Sequence, residues 1–449
     1  MKMRKERYLL VRAPYDKRVA SLEPLGLEYI MAAIKAEDAF CMIHDESINS
    51  PCFRFKRLLK VIEENNITIV GFSIISNIAH YVLKELHKLK KARPELKIMV
   101  GGAEVFINPE DFMLEDIDFV LYDHGLDSIR LAVRNEFAGE ALKDCTGLAY
   151  RDGDVWVKNE KGEPISDYGL LPDRSHFYDN IKKYRVLAKG TFSVMKTAFS
   201  CPQKCNFCIS RQFNGCHYAE RKVDDVVDEI LGLNNDKIFI IDDDFLVNKE
   251  RVLEICNKLI EHNCYKTFMI FARADSIVRC KDIMPLLYKV GFRDMLVGLE
   301  ATNDETLDYY NKNSSVALNR EAVKILRENK MLCVGLFVIN YDFTHKNFME
   351  INKFIKKEKL IWVLFSILIP FKGTVTYEEN KDKLYKYEYK RTGGTHVLMK
   401  PEHLPMWLFK LEYDFLYYVN YPRIYLASIL GTFDKIYKNK GNKDESTVD

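Results

Sequence analysis

The sequence predicts an α/β protein with two parallel-sheet regions in tandem and a helical region behind them. Three observations carry that expectation. Short apolar runs alternate with helical stretches up to about residue 140, and again from about 191 to 374. Runs such as Ile67 to Ile74 are near-continuous rather than alternating, which suits strands covered on both faces. Glycines and charged residues gather just after the runs, where open sheets and barrels of parallel strands keep their ligands.

Residues 1–144 are expected to form a doubly wound sheet. Tyr8 to Val11, Phe40 to Ile43, Ile67 to Ile74, Lys97 to Val100 and Ile117 to Tyr122 read as strands. Leu25 to Lys35 behind Pro24, Phe53 to Glu64, His80 to Lys91 and Asp127 to Glu136 read as the helices. Small residues stand at the strand ends: Gly71, Ser73, Gly101, Gly102 and Gly125. Such glycines either admit a flat ligand to the backbone or only make tight turns. Residues 145–190 read as a hairpin around Asp152-Gly153 followed by a turn-rich linker.

From 191 to 374 six strands are expected, at 192–199, 237–242, 267–273, 294–300, 332–339 and 362–369. Six strand–helix units make a partial (β/α)6 barrel. Charged residues follow its apolar runs: Asp242, Asp243 and Asp244, then Arg273 and Asp275, then Glu300. Charge placed there is costly unless it meets water, a partner or a ligand. An internal salt-bridge network among the same residues is the competing reading.

Cys201, Cys205 and Cys208 fall within eight residues, spaced CxxxCxxC, just after the first of these runs. Three thiolates so close can hold three corners of an iron–sulfur cube, and the iron left over is an open position. Zinc sites favour two-residue gaps in paired CxxC units, and no second pair exists here. Eleven scattered cysteines suit a reducing cytosol, which disfavours a disulfide reading. Cys216 reads as a structural thiol.

Composition sets outer limits. The 449 residues are 47% hydrophobic, enough for a large core. A net charge of +2, from 67 basic and 65 acidic residues, gives no bulk attraction to nucleic acid. The basic N-terminal stretch lacks the apolar run of a signal peptide, and Ile361 to Phe371 is too short to span a bilayer. Residues 375–449 are expected to be helical and rich in aromatics, from Trp407 through Tyr425, packing on the barrel. Glu412 and Asp414 argue against a membrane-surface role for them.

The cysteine loop, with Phe207 before its third cysteine, resembles the signature of the radical S-adenosylmethionine (SAM) superfamily. IIDDDF, FARAD, VGLEATNDETL and IPFKGT resemble the DDxF, RAD, GLES and PxPGT segments of its cobalamin-dependent members. PLGLEYI, VGFS, VGGAEVFINPE and DFVLYDHGLDSI resemble the cobalamin-binding domain fused ahead of many such enzymes. The resemblance implies that Cys201, Cys205 and Cys208 hold a [4Fe–4S] cluster. It implies that Asp242 or Asp243, Arg273, Glu300 and Gly335 line the SAM pocket, and that Ser73, Gly101, Gly102 and Gly125 contact cobalamin. Lys312 matches a lysine that often follows the GLES strand.

Two segments depart from the pattern. No DxHxxG motif is present, so no histidine is offered below cobalt, and His44 reads as an ordinary partly buried residue. The acidic turn, commonly GEGE, reads DHGLD at Asp123 to Asp127. A domain that no longer binds cobalamin is the alternative.

The implied activity is methylation of an unactivated carbon. A 5′-deoxyadenosyl radical made from SAM would take a hydrogen from the substrate, and methylcobalamin would deliver the methyl group. A radical cyclase or rearranging enzyme is the first alternative. A corrinoid- or cluster-binding sensor without turnover is the second. The expected partners are a small-molecule or peptide substrate and a one-electron reductant such as flavodoxin or ferredoxin, in the cytoplasm.

Overall fold

The computed structural model describes residues 6–14, 20–49, 54–124, 126–186, 189–385 and 392–429. The chain forms two compact units. One is residues 1–191 with 212–215 and 387–393, and the other is the remainder.

In the first unit, β1 (Arg7–Arg12), β2 (Phe40–Asp45), β3 (Ile69–Ser73), β4 (Lys97–Gly101) and β5 (Phe119–Leu121) lie parallel in the order β2-β1-β3-β4-β5. The order reverses direction between β1 and β3, where a doubly wound sheet binds its ligand. The helices α1 (Leu25–Lys35), α2 (Arg54–Glu64), α3 (Ala79–Ala92), α4 (Ala103–Ile107) and α5 (Leu126–Arg134) alternate with the strands. Leu58 and Ile62 of α2, and Val82, Leu86 and Leu89 of α3, join Leu9, Val70 and Ile98 in one core. The hairpin expected as a bridge is continuous with this sheet: β6 (Leu148–Asp152) pairs antiparallel with β5, and β7 (Val155–Lys158) with β6. The start of α2 at Phe53 and the strand-end Gly125 lie outside the described residues.

The second unit has six parallel strands, each paired with its predecessor: β8 (Ser193–Met195), β9 (Lys237–Ile240), β10 (Thr267–Arg273), β11 (Phe292–Glu300), β12 (Leu332–Ile339) and β13 (Trp362–Ile367). Between them run α6 (Val223–Gly232), α7 (Lys249–Glu261), α8 (Ala274–Arg279), α9 (Met284–Val290), α10 (Asp304–Tyr309), α11 (Val316–Glu328) and α12 (His345–Lys357). The helix starts are written locally. Asn248, Asn303 and Ser315 each accept a first-turn N–H, and Thr344 with Asn347 forms a reciprocal capping box.

Two further helices belong to this unit, the short α13 (Val375–Asn380) and the long α14 (Met406–Ile429). Helix α14 closes the outer edge of β13. Tyr417 Oη lies 2.6 Å from the Phe365 carbonyl and 3.2 Å from its N–H, and Tyr413 Oη donates to the same carbonyl at 3.1 Å. These bonds occupy the backbone N–H and carbonyl of Phe365 on that edge strand.

The strand expected over 192–199 ends early, at Met195. Thr197 and Ala198 turn their N–H groups to the Asp242 carboxylate at 2.6 and 3.0 Å, so they are lost to the parallel ladder. Ala198–Phe199 pairs instead with Ala219–Glu220.

Two carboxyl groups are buried in the first unit beside one arginine. Arg174 donates to Glu23, and Glu28 is fully buried next to them. Burial, and then the Glu23 charge, push the Glu28 carboxyl up to about 10. Its proton is therefore held by the native state and released by the unfolded chain. That contribution to stability is complete below about pH 4.5 and is lost as pH rises toward 10. Glu28→Gln removes the titration. Its gain over the parent in urea unfolding is expected to be small at pH 5 and to widen toward pH 8, by up to about 1.4 kcal/mol per pH unit. Parallel pH profiles for the two proteins would contradict this.

Candidate active site at the strand ends of the second unit

The three cysteines lie on the loop after the early-ending first strand, and all are partly exposed. Ser200 opens the loop in the left-handed region at φ 61°. Asp242 holds its base through Thr197 and Ala198, and Arg251 holds the Thr197 carbonyl at 2.9 Å. The loop is then pinned to the turn after α10. Asn206 N–H donates to the Tyr310 carbonyl at 3.0 Å, Asn206 Nδ2 to the Tyr309 carbonyl at 2.7 Å, and Asn311 Nδ2 to the Lys204 carbonyl at 2.8 Å. The Phe207 ring meets the buried Tyr310 ring edge-on, centroids 5.0 Å apart. Thr376, at the start of α13, donates its N–H to Asn206 O at 3.1 Å.

Arg273, the last residue of β10, joins these parts. Its Nε donates to Asp275 Oδ1 at 2.9 Å, its Nη1 lies 3.6 Å from Cys205 Sγ, and its Nη2 donates to the Lys312 carbonyl. Glu300, the last residue of β11, accepts from Lys312 Nζ at 2.7 Å, both side chains buried. Burial works against the Lys312 charge, and the Glu300 carboxylate more than restores it. Gly298 makes the pair possible. A Cβ there would stand 2.4 Å from Glu300 Oε1 and 2.7 Å from Lys312 Nζ. Glu300 itself sits at φ 59°, in the region that costs a side-chain-bearing residue energy.

These contacts show how the residues expected to line a SAM pocket are held in the chain. Asp242 accepts from Thr197 N–H, Thr197 Oγ1 and Ala198 N–H, so it braces the base of the cysteine loop. Arg273 and Glu300 do stand at the strand ends, but their partners are internal, as the salt-bridge reading proposed. Gly335 is a core glycine: the space over it is filled by Leu299 and Leu360, 3.0 and 3.2 Å from where a Cβ would stand. Asp243 remains half-buried, 4.0 Å from Lys196 Nζ, and acts electrostatically on both Cys201 and Cys208. The resemblance gave no role to Asp244, which accepts from Ser276 Oγ at 2.6 Å, burial pushing its carboxyl up to about 6. Its signal was the third aspartate of one run. Gly298 was also passed over, two residues ahead of the strand-ending Glu300.

The donor set fits an iron–sulfur cluster. Three thiols share one loop, and none of the ten described cysteines is in a disulfide. Burial pushes Cys201 up to about 12 and raises Cys208. Thiolates so placed need a cationic centre to hold them, and Arg273 already presents positive charge to Cys205. Among the described residues, no three His, Cys, Asp or Glu side chains converge as on a single ion.

In the first unit, Ser73, Gly101 and Gly102 do come together at the ends of β3 and β4. Gly102, at φ 105°, would place a Cβ 2.7 Å from both the N and O of Ile74, so it serves the turn. Gly101 meets only ordinary contacts, and Ser73 is half-buried. A cavity of about 260 Å³ opens beside the Asp123-His124 turn, lined by Leu126, Ser128, Thr146 and Tyr168. Asp123 itself is tied to Gly162 N–H at 2.7 Å. His44 is buried and paired with Glu46 at 2.6 Å, which leaves it an ordinary structural histidine.

Comparison with known proteins agrees with this geometry. The radical SAM superfamily profile matches residues 195–355, and the B12 binding domain profile matches residues 13–131. An uncharacterized methyltransferase of Pyrococcus horikoshii is 25% identical over 84% of this chain and 83% of its own length. The hopanoid C-3 methylase of Methylococcus capsulatus is 24% identical over 87% and 75%. The anaerobic magnesium-protoporphyrin IX monomethyl ester cyclase of Synechocystis sp. is 25% identical over 71% and 65%.

Two solved folds are similar. TsrM from Kitasatospora setae, with cobalamin and a [4Fe–4S] cluster bound, superposes with TM-score 0.66 at 16% identity, over 91% of this chain and 85% of that one. OxsB with aqua-cobalamin gives TM-score 0.67 at 15% identity, over 98% and 63%. The chain thus spans less than two thirds of OxsB and of the cyclase. The second unit carries a radical SAM domain and the first a B12 binding domain. The chain thus carries the domain pair of the radical SAM enzymes that have a B12 binding domain, and the cofactors of that pair are a [4Fe–4S] cluster, SAM and cobalamin.

The Glu300–Lys312 pair yields a stability test. Lys312→Met strands a buried carboxylate and is expected to cost about 3–5 kcal/mol in urea unfolding. The double change Glu300→Gln, Lys312→Met is expected to recover most of that. A single-variant loss under about 1 kcal/mol would show the pair to be solvated.

Proposed function

We propose that this enzyme methylates an unactivated carbon of a large, apolar substrate. The observation that carries the reading is the braced three-cysteine loop, in a chain that also has a B12 binding domain. Two of the relatives above are methyltransferases by name. The names of the relatives also specify hopanoid and protoporphyrin, both large, rigid and poorly soluble in water. The cyclase supports a second reading, ring closure without methyl transfer.

Cys201, Cys205 and Cys208 are the residues to hold the cluster. When bound, the cluster supplies the electron that cleaves SAM, and cobalamin supplies the methyl group. The chain's own part is placement. Asp242 and Asn206 fix the loop, and Arg273 balances charge at Cys205. Asp243, half-buried beside the loop, is positioned to accept from the ammonium of the SAM methionyl end. The first unit offers Ser73, Gly101 and the cavity beside Asp123-His124 to cobalamin. A one-electron donor such as flavodoxin or ferredoxin, in a reducing cytoplasm, fits the free thiols.

Anaerobic reconstitution with iron, sulfide and hydroxocobalamin tests the reading. The loaded enzyme should form S-adenosylhomocysteine as well as 5′-deoxyadenosine. 5′-Deoxyadenosine alone would favour the cyclase reading. Cys205→Ala should abolish SAM cleavage yet leave corrinoid uptake unchanged, and unchanged turnover would overturn the cluster assignment. Asp243→Asn should weaken SAM binding at least about tenfold with the cluster still formed. An unaltered SAM affinity would remove that role.

A further inference from the structure

We propose that Arg273 and Asp275 together set the reduction potential of the cluster, Arg273 raising it and Asp275 limiting the rise. The proposal rests on the reading that Cys201, Cys205 and Cys208 hold a [4Fe–4S] cluster. It adds which residues govern how readily that cluster takes its electron.

The three thiols have unlike surroundings. Cys201 accepts from the backbone N–H of Gln203, and Cys208 from the N–H and hydroxyl of Ser210. Those donors are neutral, and the Asp243 carboxylate acts on both sulfurs, with Asp244 also acting on Cys201. Cys205 instead has a charged donor, Arg273 Nη1 at 3.6 Å, on a residue only 4% exposed. Reduction adds negative charge to the cube and its thiolates, so a hydrogen bond to a cluster sulfur favours the reduced form. The guanidinium charge adds a Coulomb attraction that salt and solvent screen little at a buried site. The electron comes from a one-electron donor such as flavodoxin or ferredoxin, and no bond is made or broken in that step.

The other charges around Arg273 decide how much of its field reaches the sulfur. Asp275 accepts from Arg273 Nε at 2.9 Å, its side chain 20% exposed. Asp244 acts on Arg273 less than Asp275 does, and it accepts from Ser276. Lys312 and Glu300 are paired at 2.7 Å and neutral together. Asp275 is thus the charge set most directly against Arg273, and removing it leaves the guanidinium less compensated. The two residues therefore act on the potential in opposite senses. Residues that only braced the loop would have no reason to do so, since loosening it from either one would act alike.

The test is a redox titration followed by electron paramagnetic resonance, on full-length protein reconstituted with iron and sulfide and held without SAM or corrinoid. Arg273→Gln should lower the equilibrium constant for reduction at least about tenfold, a fall of about 59 mV for one electron. Arg273→Lys keeps the charge without the planar fork and should fall between the two. Asp275→Asn should move the potential upward. Iron and sulfide contents and circular dichroism equal to the parent's would show that a variant is intact. If Arg273→Gln does not retain a cluster, Asp275→Asn decides alone, a rise supporting the proposal and the parent's value overturning it. Unchanged potentials in the variants, or shifts of the same sign in Arg273→Gln and Asp275→Asn, would overturn it too. A parent protein that forms no cubane would strike the cluster reading itself, and this proposal with it.

Discussion

The arrangement of the second unit depends on one guanidinium. Arg273 ends the third strand of that unit, and its three faces reach Asp275, the Cys205 sulfur and the Lys312 carbonyl. It thereby sets the height of the cysteine loop relative to the strand ends. A planar fork does this where an ammonium would not, because its donors point in fixed directions. The cost of burying the charge is met by neighbouring acids and by the sulfur itself. The adjacent Glu300–Lys312 pair is neutral overall, so the positive charge nearest Cys205 remains that of Arg273.

Charge in the strand-end region is thus divided between structure and chemistry. Asp242 is spent on the backbone of the loop, and Asp244 on Ser276. Asp243, between them in sequence, lies 4.0 Å from Lys196 Nζ and keeps partial access to solvent. The three consecutive aspartates therefore sit in three different settings, and the middle one is the most exposed of them.

Much of this was legible in the sequence, because parallel strands buried on both faces leave near-continuous apolar runs. The expected bounds of β10 and β12 coincide with those observed, and the doubly wound class of the first sheet followed from its alternating pattern, though its strand order did not. The cysteine loop was legible from spacing alone. Contacts between residues far apart in sequence were not. Nothing local shows that Asp242 will take the N–H groups of residues 45 and 44 positions away and end the first strand early, or that Leu299 and Leu360 will fill the space over Gly335. Nor could composition separate the two faces of α14, since the inner and outer sides carry the same kinds of residue.

The central claim is that Cys201, Cys205 and Cys208 hold a cluster with one iron left open to SAM. Mössbauer spectroscopy of protein reconstituted anaerobically with ⁵⁷Fe measures this directly. The account predicts a cubane spectrum in which one iron site is distinct and changes its isomer shift when SAM is added. A spectrum indifferent to SAM, or a preparation in which the three thiols bind zinc and exclude iron, would contradict it.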